Sequence, residues 1–176
     1  FRADLNVPVV DGIITDISRI EAIKSSIKKL TSNKNKIFLM AHFGRPKGEI
    51  VEKYSLNFIL TSLRETLNLD KVFFLDNFDL NSVEKTLNEM QTGNLCLIEN
   101  IRFLKEEENI DLNFAKTMSN SFDVYVNDAF SASHRDHTSI TGFSKFLPAV
   151  AGNHMIKEIE SINSFLDKAT ATCPFQ

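Results

Sequence analysis

Short apolar runs alternate along this chain with stretches in which apolar residues recur every three or four positions. Ile37 to Ala41, Val72 to Leu75, Leu95 to Ile98 and Val124 to Val126 read as short strands buried on both faces, and Phe1 to Leu5 as the end of another. Between them lie helical patterns. Ile17, Ile20, Ile27 and Leu30 define the first, with Asp16 as its N-cap and Lys24, Lys28 and Lys29 on the solvated face. Phe58, Ile59, Leu63 and Leu67 define a second, opened by Ser55, and Val83, Leu87 and Met90 a third, ended near Gly93. Asp111 caps a fourth that holds Leu112, Ala115 and Met118, and a last helix runs from about His154 to Leu166. Asp11-Gly12 signals a turn. Strand and helix alternate with connections of a few residues, which predicts βαβ units: an α/β fold with a parallel β-sheet and helices on both faces.

Composition narrows the class. A length of 176 residues suits one domain. A hydrophobic share of 43% supports a real core, and fifteen Phe with no Trp make Phe its main aromatic. The net charge of -3 argues against a general nucleic-acid binder. Cys96 lies in an apolar run and reads as a small buried hydrophobe, and Cys173 lies in the tail. Two cysteines make neither a disulfide framework nor a zinc set. No apolar run reaches transmembrane length and no signal peptide is recognisable, so the expected setting is the cytoplasm, without membrane contact. The chain opens inside a motif at Phe1 and stops without an obvious last element, and so reads as a fragment.

Candidate chemistry gathers at strand ends. The strand Ile37 to Ala41 stops at His42, and Gly44, Pro46 and Gly48 then turn the chain past Arg45. Parallel sheets place ligands in the loops that follow their strands. Of six arginines, Arg64 falls in a helical pattern and reads as surface. Arg45, Arg102 and Arg135 each follow a strand, and Arg2 lies in the first one. Convergent arginines repel by a few kcal/mol at an effective dielectric near 20, so a cluster makes sense around an anion. His42, when charged, would donate from both ring nitrogens. Arg19 falls in the first turn of the first helix, where a cation opposes the helix dipole. A local rule broken without evident gain points to function, and a bound phosphate or carboxylate would use both the arginine and the helix N-terminus.

Asp4 and Asn6 end the first strand on one side of the chain, placed either to bind hydroxyl groups of a small ligand or simply to make the turn before Pro8. The acidic run Glu106 to Glu108 reads as a solvated loop, because three successive residues point different ways and do not converge on a metal. His134-Arg135-Asp136 resembles a protein-kinase catalytic loop, but Thr141 stands where that loop needs Asn, and no Asp-Phe-Gly follows. Neither the G-x-x-x-x-G-K-[ST] loop nor the G-x-G-x-x-G fingerprint occurs, so the chain has no nucleotide cradle of its own.

Together, Arg2-Ala3-Asp4-Leu5-Asn6-Val7-Pro8, Asp16-Ile17-Ser18-Arg19, His42-Phe43-Gly44-Arg45-Pro46, Glu99-Asn100-Ile101-Arg102-Phe103, Val126-Asn127-Asp128-Ala129-Phe130, His134-Arg135 and Lys145 to Gly152 resemble phosphoglycerate kinase, in that family's order and over nearly the whole chain. The resemblance covers the N-terminal, substrate-binding half of that enzyme, so residues 1–176 are expected to form a Rossmann-like three-layer domain without the family's C-terminal nucleotide-binding domain. It implies reversible phosphoryl transfer between ATP and the carboxylate of 3-phosphoglycerate, giving 1,3-bisphosphoglycerate, in a monomer. ATP/ADP and Mg²⁺ would be held mainly by the absent domain. By the same resemblance, His42, Arg45, Arg102 and Arg135 would hold the substrate phosphate, Asp4 and Asn6 its hydroxyl and carboxylate end, and Arg19 the phosphoryl group in flight. Two departures bear on the site: Ser131-Ala132-Ser133 stands where the family more often has Gly and small residues, and an Asp136–Arg135 ion pair would weaken Arg135 as a phosphate ligand. Two other classes are a non-catalytic module for a phosphorylated metabolite and a single-stranded nucleic-acid binder. The acidic balance and the lack of interleaved basic and aromatic residues argue against the latter.

Overall fold

A computed structural model describes residues 1–172, with side chains through Leu166; the tail with Cys173 and Pro174 lies outside the described residues. In chain order the elements are β1 (Arg2–Ala3), a hairpin of β2 (Val9–Val10) and β3 (Ile13–Ile14), α1 (Ser18–Ser32), β4 (Ile37–Leu39), α2 (Leu60–Leu67), β5 (Val72–Leu75), α3 (Leu80–Glu89) and β6 (Leu95–Ile98). They continue with α4 (Lys105–Glu108), α5 (Leu112–Ser119), β7 (Tyr125–Asp128), β8 (Ala149–Ala151) and α6 (Asn153–Thr172). β4, β6 and β5 pair in parallel, as do β1, β7 and β8. The two halves join where Arg2 bridges Met40: Ala3 N donates to Met40 O at 3.0 Å and Met40 N to Phe1 O at 2.8 Å. The result is one parallel sheet in the order β5-β6-β4-β1-β7-β8.

The pleat sorts the core. Ile37 and Leu39 of β4 and Leu95 and Leu97 of β6 face one apolar cluster with Ile20, Ile23 and Ile27 of α1 and Leu63 and Leu67 of α2. Phe38, Cys96 and Ile98 face the other, with Val83 of α3, Met118 of α5 and Phe143. Helices therefore cover both faces, as the buried runs predict. Burial pushes the Cys96 thiol up to about 12, so it behaves as a hydrophobe.

Helix starts differ in detail from the sequence reading. Asp16 accepts Ser18 N at 2.7 Å from one residue before the N-cap, which is Ile17 and makes no side-chain cap. Ser55 opens a 3₁₀ turn, accepting Asn57 N at 3.1 Å, and α2 follows. Asp111 caps α5 as expected, accepting Phe114 N at 2.8 Å. The acidic run is a correction. Lys105–Glu108 is a short helix, and Glu107 is 3% exposed because Ser139 supplies it with two donors. Asp11-Gly12, read as a turn, joins the two strands of the β2–β3 hairpin; β8 had no clear sequence signal, because it is an exposed edge strand and lacks the apolar run of a central one.

Asp128, at the end of β7, is fully buried and anchors the last turn of the fold. Its carboxylate accepts Ser26 Oγ of α1 at 2.8 Å and Met155 N of α6 at 2.9 Å. Gly152 lies against it so closely that a Cβ there would stand 2.2 Å from Asp128 Cγ.

Candidate functional site

Because all six strands run in parallel, the loops after β1, β4, β6 and β7 open on one edge. The loops after β4 and β6 are stapled by Asn100. Its Oδ1 accepts Phe43 N at 3.2 Å and Arg102 N at 3.1 Å, and its Nδ2 donates to Phe43 O at 2.6 Å and Tyr54 O at 2.9 Å. Glu99 fixes the next turn, accepting Ser55 Oγ at 2.6 Å and Leu56 N at 2.7 Å. Gly44 has φ +60, and a Cβ there would sit 2.4 Å from the Tyr54 ring. Only glycine lets the chain turn this tightly beside that ring.

Arg102 is 4% exposed, and its Nη1 donates to Gly44 O at 2.7 Å. Its Nε lies 3.7 Å from Glu108 Oε1, too far for a hydrogen bond. That Nε is a buried side-chain donor without a partner among the described residues. Burial and the Arg135 charge together depress the Arg102 pKa, and Arg45 adds to the effect. Arg45 itself is exposed and meets no carboxylate among the described residues.

His42 is partly buried, and its Nδ1 lies 2.8 Å from Arg2 Nη2. Burial, then the charges of Arg2, Arg102 and Arg135, push its pKa down to about 3 against the pull of Asp4. The ring is therefore neutral at pH 7 and not the doubly donating imidazolium that the sequence reading allowed.

Asp4 does two jobs. Its Oδ1 accepts Asn6 N at 3.0 Å, the local turn foreseen as one option. Its Oδ2 meets both Arg19 Nη1 and Ser131 Oγ. Burial alone would raise the Asp4 pKa, but the Ser131 and Asn6 hydrogen bonds and the Arg19 charge together bring it below the ordinary carboxylate value. Asn6 Oδ1 accepts Gly44 N at 3.1 Å and so ties the loop after β1 to the loop after β4. Arg19 lies in the first turn of α1, and its ion pair with Asp4 offsets the unfavourable dipole position. Its side chain stays 41% exposed.

All seven sequence candidates thus lie along one edge. Arg102 and Arg135 act on His42, Arg135 and Arg45 act on Arg102, and Asp4, Asn6 and Arg19 form an adjoining bonded group. Asp136 is exposed and pairs with no basic group among the described residues, so Arg135 keeps its charge free of that carboxylate. Arg64 lies apart, on α2, 3.9 Å from Glu65. Sequence reasoning missed the parts played by Asn100, Ser139 and Glu107. Asn100 was legible as a residue closely preceding a strand-end arginine; Ser139 and Glu107 carried no local signal. An excess of cations with an unpartnered Arg102 donor suits a small multivalent anion such as a phosphate ester.

Comparison with known proteins points to one family. The family model described as phosphoglycerate kinase matches residues 1–175. Relatives named phosphoglycerate kinase include those of Finegoldia magna, 45% identical over 168 residues, and Allorhizobium ampelinum, 43% identical over 169 residues. These alignments cover 94% and 96% of this chain, which spans 42% of the length of either relative. Among solved structures, phosphoglycerate kinase from Coxiella burnetii superposes with a TM-score of 0.81 at 31% identity, over 92% of this chain and 40% of that one. Phosphoglycerate kinase from Pyrococcus horikoshii gives 0.80 at 30% identity, over 90% and 40%.

Proposed function

The chain belongs to the phosphoglycerate kinase family, and from that premise we propose that it carries the acceptor-binding half of a cytoplasmic, monomeric enzyme that moves a phosphoryl group reversibly between ATP and the carboxylate of 3-phosphoglycerate. The observation that supports this reading is the edge where Arg135 and Arg45 lie close enough to Arg102 to depress its pKa, with neutral His42 beside Arg102 and Arg135. In this reading His42, Arg45, Arg102 and Arg135 take the substrate phosphate. Arg102 Nε gains the acceptor that the fold denies it. Asp4 and Asn6 take the hydroxyl and carboxylate end. Arg19, solvent-accessible and held by Asp4, turns to the carboxylate and offsets charge on the phosphoryl group in flight. Phosphoryl transfer needs positioning and charge stabilisation more than a protein nucleophile, which matches this inventory.

The described residues do not fit a nucleotide–Mg²⁺ site. The sequence contains neither the G-x-x-x-x-G-K-[ST] loop nor the G-x-G-x-x-G fingerprint that would cradle nucleotide phosphates. We therefore assign ATP/ADP and Mg²⁺ mainly to protein outside this chain. The test is a coupled assay with ATP, Mg²⁺ and 3-phosphoglycerate. The full-length protein is expected to turn over, and residues 1–176 alone are not. No turnover by the full-length protein, or turnover by the isolated chain, contradicts the reading.

A further inference from the structure

Arg2 is among the largest fully buried side chains, 1% exposed, and a buried guanidinium must have its donors satisfied. Its Nη1 donates to Ala3 O, its Nε donates to Ser139 Oγ at 3.0 Å, and its Nη2 contacts His42 Nδ1 at 2.8 Å. Arginine has no acceptor atom, so His42 Nδ1 must be the bare, accepting nitrogen, and the ring proton lies on Nε2. Arg2 in turn is held from behind. Ser139 Oγ donates to Glu107 Oε1 at 2.7 Å, which commits its proton and leaves its lone pairs to Arg2. Ser139 N donates to Glu107 Oε2 at 2.9 Å, and Tyr125 Oη donates to Ser139 O at 2.6 Å. Glu107 supplies the negative charge nearest this network, with His137 Nδ1 3.4 Å from it. The groups that face His42 are Arg2, Arg102, Arg135 and Asp4.

Resting on the acceptor-site reading above, we propose that Ser139 and Glu107 are positioning residues: through Arg2 they fix His42 as its Nε2–H tautomer, so that Nε2 donates to the substrate phosphate. Neither residue touches that phosphate. Without the Ser139 hydroxyl, Arg2 Nε has no acceptor, Arg2 turns toward Glu107, and His42 Nδ1 loses the donor that selects its tautomer.

The test uses full-length protein with ¹⁵N-labelled histidine, the His42 resonances being assigned by His42→Gln. In the unliganded wild type, Nδ1 should be unprotonated and Nε2 protonated. Ser139→Ala should give a mixed tautomer population and a raised His42 pKa. Glu107→Gln, which keeps the volume of the site, should shift the same signals in the same direction. Either variant should raise the KM for 3-phosphoglycerate about tenfold and leave kcat within a factor of two or three. A wild-type ring protonated on Nδ1 overturns the proposal and needs no variant. So does an unchanged tautomer in every variant that keeps the wild-type circular-dichroism spectrum. These unliganded signals do not depend on substrate, so a wild type with the expected tautomer that fails to bind 3-phosphoglycerate would refute the acceptor-site reading instead.

Discussion

Replacing His42 by glutamine should remove a specific part of the protein's acid sensitivity. In the folded protein the His42 pKa is pushed down to about 3, first by burial and then by Arg2 and Arg102. In the unfolded chain it titrates near 6.5. Between these values the unfolded state binds a proton that the folded state refuses, so stability falls as pH falls from about 6.5 toward 3. Integrated from pH 6 to pH 4, this one group removes about 2.5 kcal/mol, or nearer 1 kcal/mol when solvent screening at a partly exposed ring is allowed for. The glutamine side chain of the His42→Gln variant keeps an acceptor for Arg2 but takes up no proton. Asp4, whose pKa is lowered, loses stability in the same direction, but it titrates in both proteins and largely cancels in the difference. The assay is urea denaturation followed by far-UV circular dichroism at half-unit pH steps. The gap between the wild-type and His42→Gln stabilities should change by about 1–2.5 kcal/mol over that window, in favour of the variant at low pH. Parallel curves would refute a neutral His42 held among arginines.

Two arginines should separate kinetically in the full-length protein. Arg19→Ala should lower kcat by on the order of a thousandfold with a smaller change in KM, as loss of a charge-stabilising arginine does. Arg102→Ala should raise the KM for 3-phosphoglycerate, because the phosphate is bound alike in ground and transition states. Equal effects on both constants in both variants would reject the division of roles. Gly152→Ala should destabilise by about 2–3 kcal/mol, since the new Cβ displaces the Asp128 carboxylate from Ser26 and Met155. Thermal melts would show it, and an unchanged Tm would mean the loop relaxes freely.

The sheet was legible because central parallel strands need apolar residues on both faces, and Ile37 to Ala41 and Leu95 to Ile98 supply them without interruption. Arg45, Arg102 and Arg135 were legible because each follows a strand. What local pattern does not carry is pairing across the chain. Glu107 reads as solvated from its neighbours, yet Ser139, 32 positions away, buries it. Arg19 reads as a violation of the helix dipole, yet Asp4, 15 positions away, compensates it. β8 carries too few buried apolar residues to announce itself, because it borders solvent. His42 reads as a titrating donor until three arginines are brought near it.

The central claim is that the strand-end arginines bind a phosphorylated three-carbon acid. Calorimetric titration of 3-phosphoglycerate into the full-length protein, beside glycerate without the phosphate and beside an Arg102→Ala, Arg135→Ala double variant, tests it most directly. Binding should be one-to-one, should weaken with added salt, and should be lost for glycerate and in the double variant. Undiminished binding in the double variant, or equal affinity for glycerate, would contradict it.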